Sequence, residues 1–348
     1  MSATAAIEVL APGTLTCVQD GGRHGHRALG VGRSGAADTH SAALANLLVG
    51  NAANLAVLEI TLSGPRLRFH QAAWIALAGA DIDARCGADA LPAWRPLWMP
   101  RGAELQLGAC RRGVRSYLAV RGGIEVPALL GSSATDLRAG FGGCEGRALR
   151  TGDRLRSGVA AGDDAWPMAP AAAAARADRG RGTGKPAIAG WWIDPAPDLD
   201  LALPAVAALL PGSAELDPAA HAQLLEHAWK VAADSNRIGL RLAGPALALA
   251  HAWEHPSEPV FPGTVQLPPD GQPIVLLADC GTTGGYPRIG HVADVDLPRL
   301  AQLRPGETMR FVPSTLEEVD ARGCARAARL ARIALAIEAR TRQDSQSA

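Results

Sequence analysis

The stretch PGTVQLPPDGQPIVLLADCGTTGGYPRIG, Pro262–Gly290, decides the fold class. Pro262-Gly263 is a turn, and Thr264-Val265-Gln266-Leu267 alternates as a short strand does. Pro268-Pro269-Asp270-Gly271 is a second turn, because proline presets φ and glycine accepts φ > 0. Ile274 to Ala278 is a continuous apolar run, the pattern of a strand buried on both faces. It empties into Asp279 and then into Gly281-Thr282-Thr283-Gly284-Gly285-Tyr286-Pro287. That loop is small and hydroxyl-rich, so its backbone amides can approach a ligand closely. A buried strand that delivers a carboxylate and a Gly/Thr loop to its end is how a rigid scaffold presents a site. The competing reading is a tight turn whose glycines serve backbone geometry alone.

The flanking sequence is built in the same way. Ile7–Leu10, Leu15–Gln19, Leu58–Leu62, Arg66–Phe69, Trp74–Ala78, Glu104–Leu107 and Ser116–Val120 read as strands, separated by Gly- and Pro-rich turns. Helices are few. Asp38 caps one that runs to about Val49, a second is expected near Ala219–Trp229, and a last one from about Thr315 to Arg340. For that last helix Ser314 is the expected N-cap, with Glu317 completing a capping box. The expected division is a β-rich domain over 1–157, an Ala/Gly-rich linker or surface excursion over 158–190, a second β domain over 191–313, and the helix over 314–342. The halves echo each other: Leu62-Ser63-Gly64-Pro65 resembles Leu242-Ala243-Gly244-Pro245, and Arg101-Gly102-Ala103-Glu104 resembles Pro305-Gly306-Glu307-Thr308.

Composition narrows the function. Lys+Arg and Asp+Glu are 34 each, so no basic excess points to nucleic acid or to an anionic membrane surface. The N-terminus lacks the basic and apolar segments of a signal peptide, and no apolar run reaches the roughly 18 residues of a membrane span. The six cysteines are scattered without a Cys-x-x-Cys spacing, which fits reduced thiols in the cytoplasm and argues against a structural metal site.

Several motifs fall short. Gly30-Val31-Gly32-Arg33-Ser34-Gly35 spells G-x-G-x-x-G, but a polar loop precedes it where a dinucleotide site needs a strand. No P-loop occurs. His24 and His26 lie between Arg23 and Arg27, a composition that suits an anion or solvent better than a metal. His251 and His255 flank Glu254 without the His-Glu-x-x-His frame of a zinc site. Two polar clusters adjoin strands: Gln19-Asp20 with Arg23, and Asp234-Ser235-Asn236-Arg237. Each offers a carboxylate and a guanidinium, either for one ligand or for a turn-locking ion pair.

The chain resembles the family of the C subunit of 5-oxoprolinase, also called allophanate hydrolase subunit 2, a biotin-dependent carboxyltransferase-like group. The stretches that carry the likeness are IEVLAPGTLTCVQDGGRHGHRALGVGRSGAAD, ANLLVGN, LEITLSGPRLRF, AGFGGCEGRAL, DSNRIGLRLAGP, the Pro262–Gly290 stretch and DLPRLAQLRPGETMRF. One departure adjoins the loop, where Asp279-Cys280-Gly281 stands for the usual Asp-Arg-Gln. The resemblance implies a mainly β (α+β) chain of two cyclophilin-like β-barrel units with a few helices. It implies a cytoplasmic protein that works with two other 5-oxoprolinase components, an A component and a kinase-inhibitor-like B component. Such complexes open 5-oxo-L-proline to L-glutamate with ATP, whose site can be shared with a partner. The alternatives within the resemblance are a carboxyltransferase acting on urea or another amide, with biotin carried by another protein, and a non-catalytic antagonist of a kinase-inhibitor partner. In this reading Asp279 and Asp20 are the catalytic candidates. The substrate contacts are Arg23, Arg237, Gln266, Gln272, Thr282, Thr283, Gly284, Gly285 and Tyr286, with no metal.

Overall fold

The computed structural model describes residues 6–158, 185–197, 199–253 and 256–346. Most of the expected linker, Glu254 and His255 lie outside the described residues. The chain is mainly β and divides into two units. Unit 1 takes the residues up to Gly22, Thr39–Leu199 and those from Arg329 on; unit 2 takes Arg23–Asp38 and Asp200–Ala328.

Unit 1 is an eleven-stranded sheet organised on two long antiparallel strands, Ala73–Cys86 and Glu104–Val120. The second joins what the sequence presents as two strands. Arg111-Arg112-Gly113 interrupts the alternation, and the pairing passes through bulges between Gly79 and Ala84. Gly79 is required at the bend: its φ is +91°, and a Cβ there would lie 2.5 Å from the Arg115 carbonyl oxygen. Helix α1 (Thr39–Leu48) is buried along most of its length and packs on these strands. The core runs from Ile7 and Val9 through Leu58, Ile60, Phe69, Ile75 and Leu118.

Unit 2 is a closed seven-stranded barrel in the order Ala205–Pro211, Arg288–Val292, Thr264–Gln266, Ile274–Leu276, Gly239–Ala243, Trp229–Val231, Thr308–Pro313. The last strand returns to pair in parallel with the first, from Ala205↔Met309 to Leu209↔Pro313. Closure removes the free edges that an open sheet leaves unpaired. Trp229, Phe311, Met309, Val265 and Val275 fill the interior. The Ile274–Ala278 run is buried on both faces: Val275 and Leu277 enter the barrel core, and Leu276 packs outside it with Val260 and Cys280.

The helices depart from the sequence reading at their ends. Helix α2 (Pro218–Glu226) stops before Trp229, because that indole is fully buried as a strand residue of the barrel. A single turn, α3 (Leu297–Leu300), is too short for its apolar residues to show a helical period. Helix α4 (Leu316–Gln346) has its capping box one residue later than expected. Thr315 Oγ1 accepts from Glu318 N at 3.3 Å, while the Glu318 carboxylate accepts from Thr315 N at 2.9 Å and from Ser314 Oγ at 2.8 Å. These bonds hold the Glu318 carboxyl below its ordinary value.

The boundary between units also differs from a cut along the chain. The segment Arg23–Asp38 belongs to unit 2 because its polar groups are satisfied there. Gln302 Nε2 donates to Asp38 Oδ2 at 2.7 Å, and Arg237 Nη2 donates to the Gly35 carbonyl at 2.7 Å.

Candidate functional site

The strand Ile274–Leu276 continues past its end by pairing with the turn that opens Gly239–Ala243. Leu277 N donates to Ile238 O at 2.9 Å and Asp279 N to Arg237 O at 3.0 Å. The Asn236 side chain shapes that turn by accepting from Ile238 N at 2.8 Å. This backbone register sets the Arg237 and Asp279 side chains together. They form a bidentate pair, Nε to Oδ2 at 2.7 Å and Nη2 to Oδ1 at 2.8 Å, with 6% and 5% of the side chains exposed. Such a pair is geometrically specific and, at this burial, is not open to exchange with water.

Cys280, next along the chain, is buried against Val260, Leu276 and Ile274 and acts there as a small apolar side chain. Burial pushes its thiol up to about 11; Arg27 opposes that and the Asp279 charge adds to it. At neutral pH it is a thiol and not a nucleophilic thiolate.

The Gly/Thr loop then runs out to the surface. Thr283–Gly284 pairs with Glu258–Pro259, and Val260 N donates to Thr282 O at 3.1 Å. Gln266, buried on the neighbouring barrel strand, donates from Nε2 to Tyr286 O at 3.4 Å. A Cβ on Gly284 would stand 2.5 Å from that Nε2, so the glycine is what lets the loop lie over Gln266. Thr283, Gly285 and Tyr286 are exposed. One apolar strand thus leads to a buried charged pair, and an amide and two hydroxyls lie under and along an open loop.

Of the expected site residues, the structure groups Arg237, Asp279, Gln266, Thr282, Thr283, Gly284, Gly285 and Tyr286. Arg23 is also in unit 2 and is 1% exposed, its backbone N–H donating to Arg33 O at 2.7 Å. Gln272 is engaged elsewhere: its amide oxygen accepts from Gly244 N at 2.9 Å, and its nitrogen donates to Gly244 O at 3.3 Å. Asp20 belongs to unit 1. Its carboxylate accepts from Gly22 N at 2.8 Å, Ser132 Oγ at 2.7 Å and Ser133 N at 2.6 Å, and so ties two unit 1 loops together. The G-x-G-x-x-G segment follows a short 3₁₀ turn, Arg27–Leu29, with Gly30 in the left-handed region; no strand directly precedes it.

One residue that touches the loop escapes the sequence reading. Arg27 donates from Nη2 to the carbonyls of Val260, Gly281 and Thr282. Its signal in the sequence is no more than membership of the basic Arg23–Arg27 segment. Among the described residues no three His, Cys, Asp or Glu side chains converge as a metal site would, and no helix is long and apolar enough to cross a membrane.

The profile of the family described as carboxyltransferase domain, subdomain A and B, matches residues 29–313. The chain belongs to this carboxyltransferase-domain family. It is 41% identical to the C subunit of 5-oxoprolinase from Escherichia coli strain K12 over 313 residues, 90% of this chain and 92% of that one. It is 34% identical to the Haemophilus influenzae protein of the same name over 90% of this chain and 92% of that protein. Urea amidolyase of Lachancea kluyveri is 32% identical over 88% of the chain, but the match spans only 17% of that larger protein. In the crystal structure of the K. lactis urea amidolyase the corresponding fold superposes with a TM-score of 0.81 at 28% identity, covering 96% of this chain and 20% of that one. The expected family and the mainly β architecture are therefore both met, with the closed barrel in unit 2.

Proposed function

We propose that the chain is the C subunit of an ATP-dependent 5-oxoprolinase complex, which converts 5-oxo-L-proline, ATP and water to L-glutamate, ADP and phosphate together with its A and B components. The observation that carries this reading is the likeness to the Escherichia coli C subunit, 41% identical over 90% of this chain, against 32% over 88% for the urea amidolyase.

The site chemistry supports an amide substrate. Thr282, Thr283, Gly284, Gly285 and Tyr286 offer hydroxyl and backbone groups, and Gln266 an amide, which together suit a lactam N–H and C=O. Asp279 is the candidate for orienting the lactam N–H or taking a proton, and it acts only when its pairing with Arg237 loosens. Arg23 and Arg237 are the candidates for the substrate carboxylate. Asp20 and Gln272 act structurally in this reading. An unactivated lactam is a poor electrophile, and ATP supplies a phosphoryl group that turns its oxygen into a leaving group. ATP use belongs to the assembled complex.

A second reading follows from the family itself. The chain acts as a carboxyltransferase component on urea or another amide, with biotin arriving on another protein, since no Met-Lys-Met attachment motif occurs here. Mixing the chain with its cognate A and B components, with and without 5-oxoproline, separates the two. ADP and glutamate released together support the 5-oxoprolinase reading. An assembled complex with no 5-oxoproline-dependent turnover, or one that uses carboxybiotin, rejects it.

A further inference from the structure

Arg27 is set into unit 2 beside the Gly281–Gly285 loop. Its Nη2 is shared among three carbonyls: Val260, Gly281 at 3.3 Å and Thr282 at 3.4 Å. Its guanidinium lies over the Phe261 ring, 4.6 Å from the centroid. The backbone offers little else to hold these two segments. They share the short ladder Glu258↔Gly284 and Pro259↔Thr283 and the bond from Val260 N to Thr282 O. The loop's glycines carry no side chains with which to pack. An arginine suits the task because its planar fork can donate along its edge while its face stacks on an aromatic ring. A lysine ammonium has three donors but no planar face to stack.

We propose that Arg27 is the positioning residue of the site: it clamps the Gly281–Gly285 loop to Val260–Phe261 and thereby fixes Thr282 and Thr283 relative to Asp279 and Gln266. The clamp stands on geometry; its consequence for turnover rests on the amide-binding role proposed above. A loop displaced by about 1 Å costs on the order of 100-fold in rate when it orients the substrate.

The test uses the full-length chain as wild type, Arg27→Ala and Arg27→Lys. Hydrogen exchange is read in peptides covering residues 277–287, and steady-state kinetics are read in the complex with the A and B components. Arg27→Ala is expected to speed exchange of the loop amides by about tenfold, with the barrel strands unchanged and Arg27→Lys intermediate. In the complex kcat falls about 100-fold while KM stays within about threefold, the mark of lost positioning and not of lost uniform binding. Guanidinium ion at sub-denaturing concentration restores slow exchange and part of kcat to Arg27→Ala, but not to Arg27→Lys, whose side chain fills the vacated space. Unchanged loop exchange in Arg27→Ala overturns the proposal. So does faster exchange with unchanged kcat, because the clamp is then structural only. If the wild-type complex does not turn over 5-oxoproline, the proposed function fails by itself, and exchange with guanidinium rescue still decides whether Arg27 holds the loop.

Discussion

Asp20 and Asp279 occupy the same sequence setting, each just past a buried strand and each followed by glycine within two residues. In unit 1 the Asp20 carboxylate is met, among the described residues, by neutral donors: two backbone N–H groups and one hydroxyl. In unit 2 the Asp279 carboxylate is met by a guanidinium with both oxygens engaged and almost no exposure. Loss of the first leaves three neutral donors around a half-buried turn, with no charge left uncompensated. Loss of the second leaves a cation in a place water does not reach. A carboxylate's partner, and not its position after a strand, decides whether it ties a loop or neutralises a buried charge.

The largest test of that contrast is Asp279→Ala. It strands a buried guanidinium, and unfolding by urea should report a loss of about 3–5 kcal/mol. Combining it with Arg237→Met should recover much of the loss, since replacing both members of a buried pair by apolar groups is often near neutral. A single-variant loss under about 1 kcal/mol means that water reaches Arg237 and erases the difference between the two sites. Asp20→Ala comes next, at about 1–3 kcal/mol by the same measurement. A loss equal to that of Asp279→Ala removes the contrast from the other side.

Gly284→Ala sharpens the unit 2 half of the comparison. The added Cβ meets the flexible end of Gln266, 2.5 Å away, so stability should fall by less than about 1 kcal/mol. Displacing Gln266 breaks its bond to Tyr286 O, and 5-oxoproline-dependent turnover of the complex should drop about tenfold. An unchanged rate takes Gln266 out of the site.

The smallest effect concerns thiols. Burial pushes both Cys144 in unit 1 and Cys280 in unit 2 up to about 11 from an ordinary value of 9.0. In the unfolded chain these thiols ionise first, so the stability they contribute is fully present below about pH 9 and is lost as pH rises through about 11. Iodoacetamide at about pH 8, followed by peptide mapping, should modify the exposed Cys324 well before either. Early labelling of Cys280 means that its cluster opens readily in solution.

Much of the architecture was legible because strands and turns write themselves locally. The period-2 alternation of Leu15–Gln19 and Arg66–Phe69 and the unbroken Ile274–Ala278 run each reflect what one or two faces of a strand bury. The weak echo between the halves reappears as conformation. Gly102 and Gly306 both have positive φ, +82° and +90°, in the turn before a strand. A Cβ on Gly64 would lie 2.3 Å from Leu107 Cβ, and one on Gly244 2.7 Å from the Trp229 ring. Helix ends were less legible. Ser314 and Thr315 are both able caps, and only the reach of Glu318 chooses between them. The expected extension to Trp229 failed because barrel burial of a large indole outweighs local helix preference.

The sequence by itself determined the mainly β character, the family, and the presence of a Gly/Thr loop behind a buried strand and a carboxylate, since these depend on spacing along the chain. Tertiary structure alone decided which carboxylate meets a guanidinium, that Gln272 serves a turn, and that Arg27 grips a loop more than two hundred residues away. The physical reason is that a hydrogen bond or ion pair is set by distances of about 3 Å in space, and closing a barrel brings together residues whose separation in sequence carries no record of that distance.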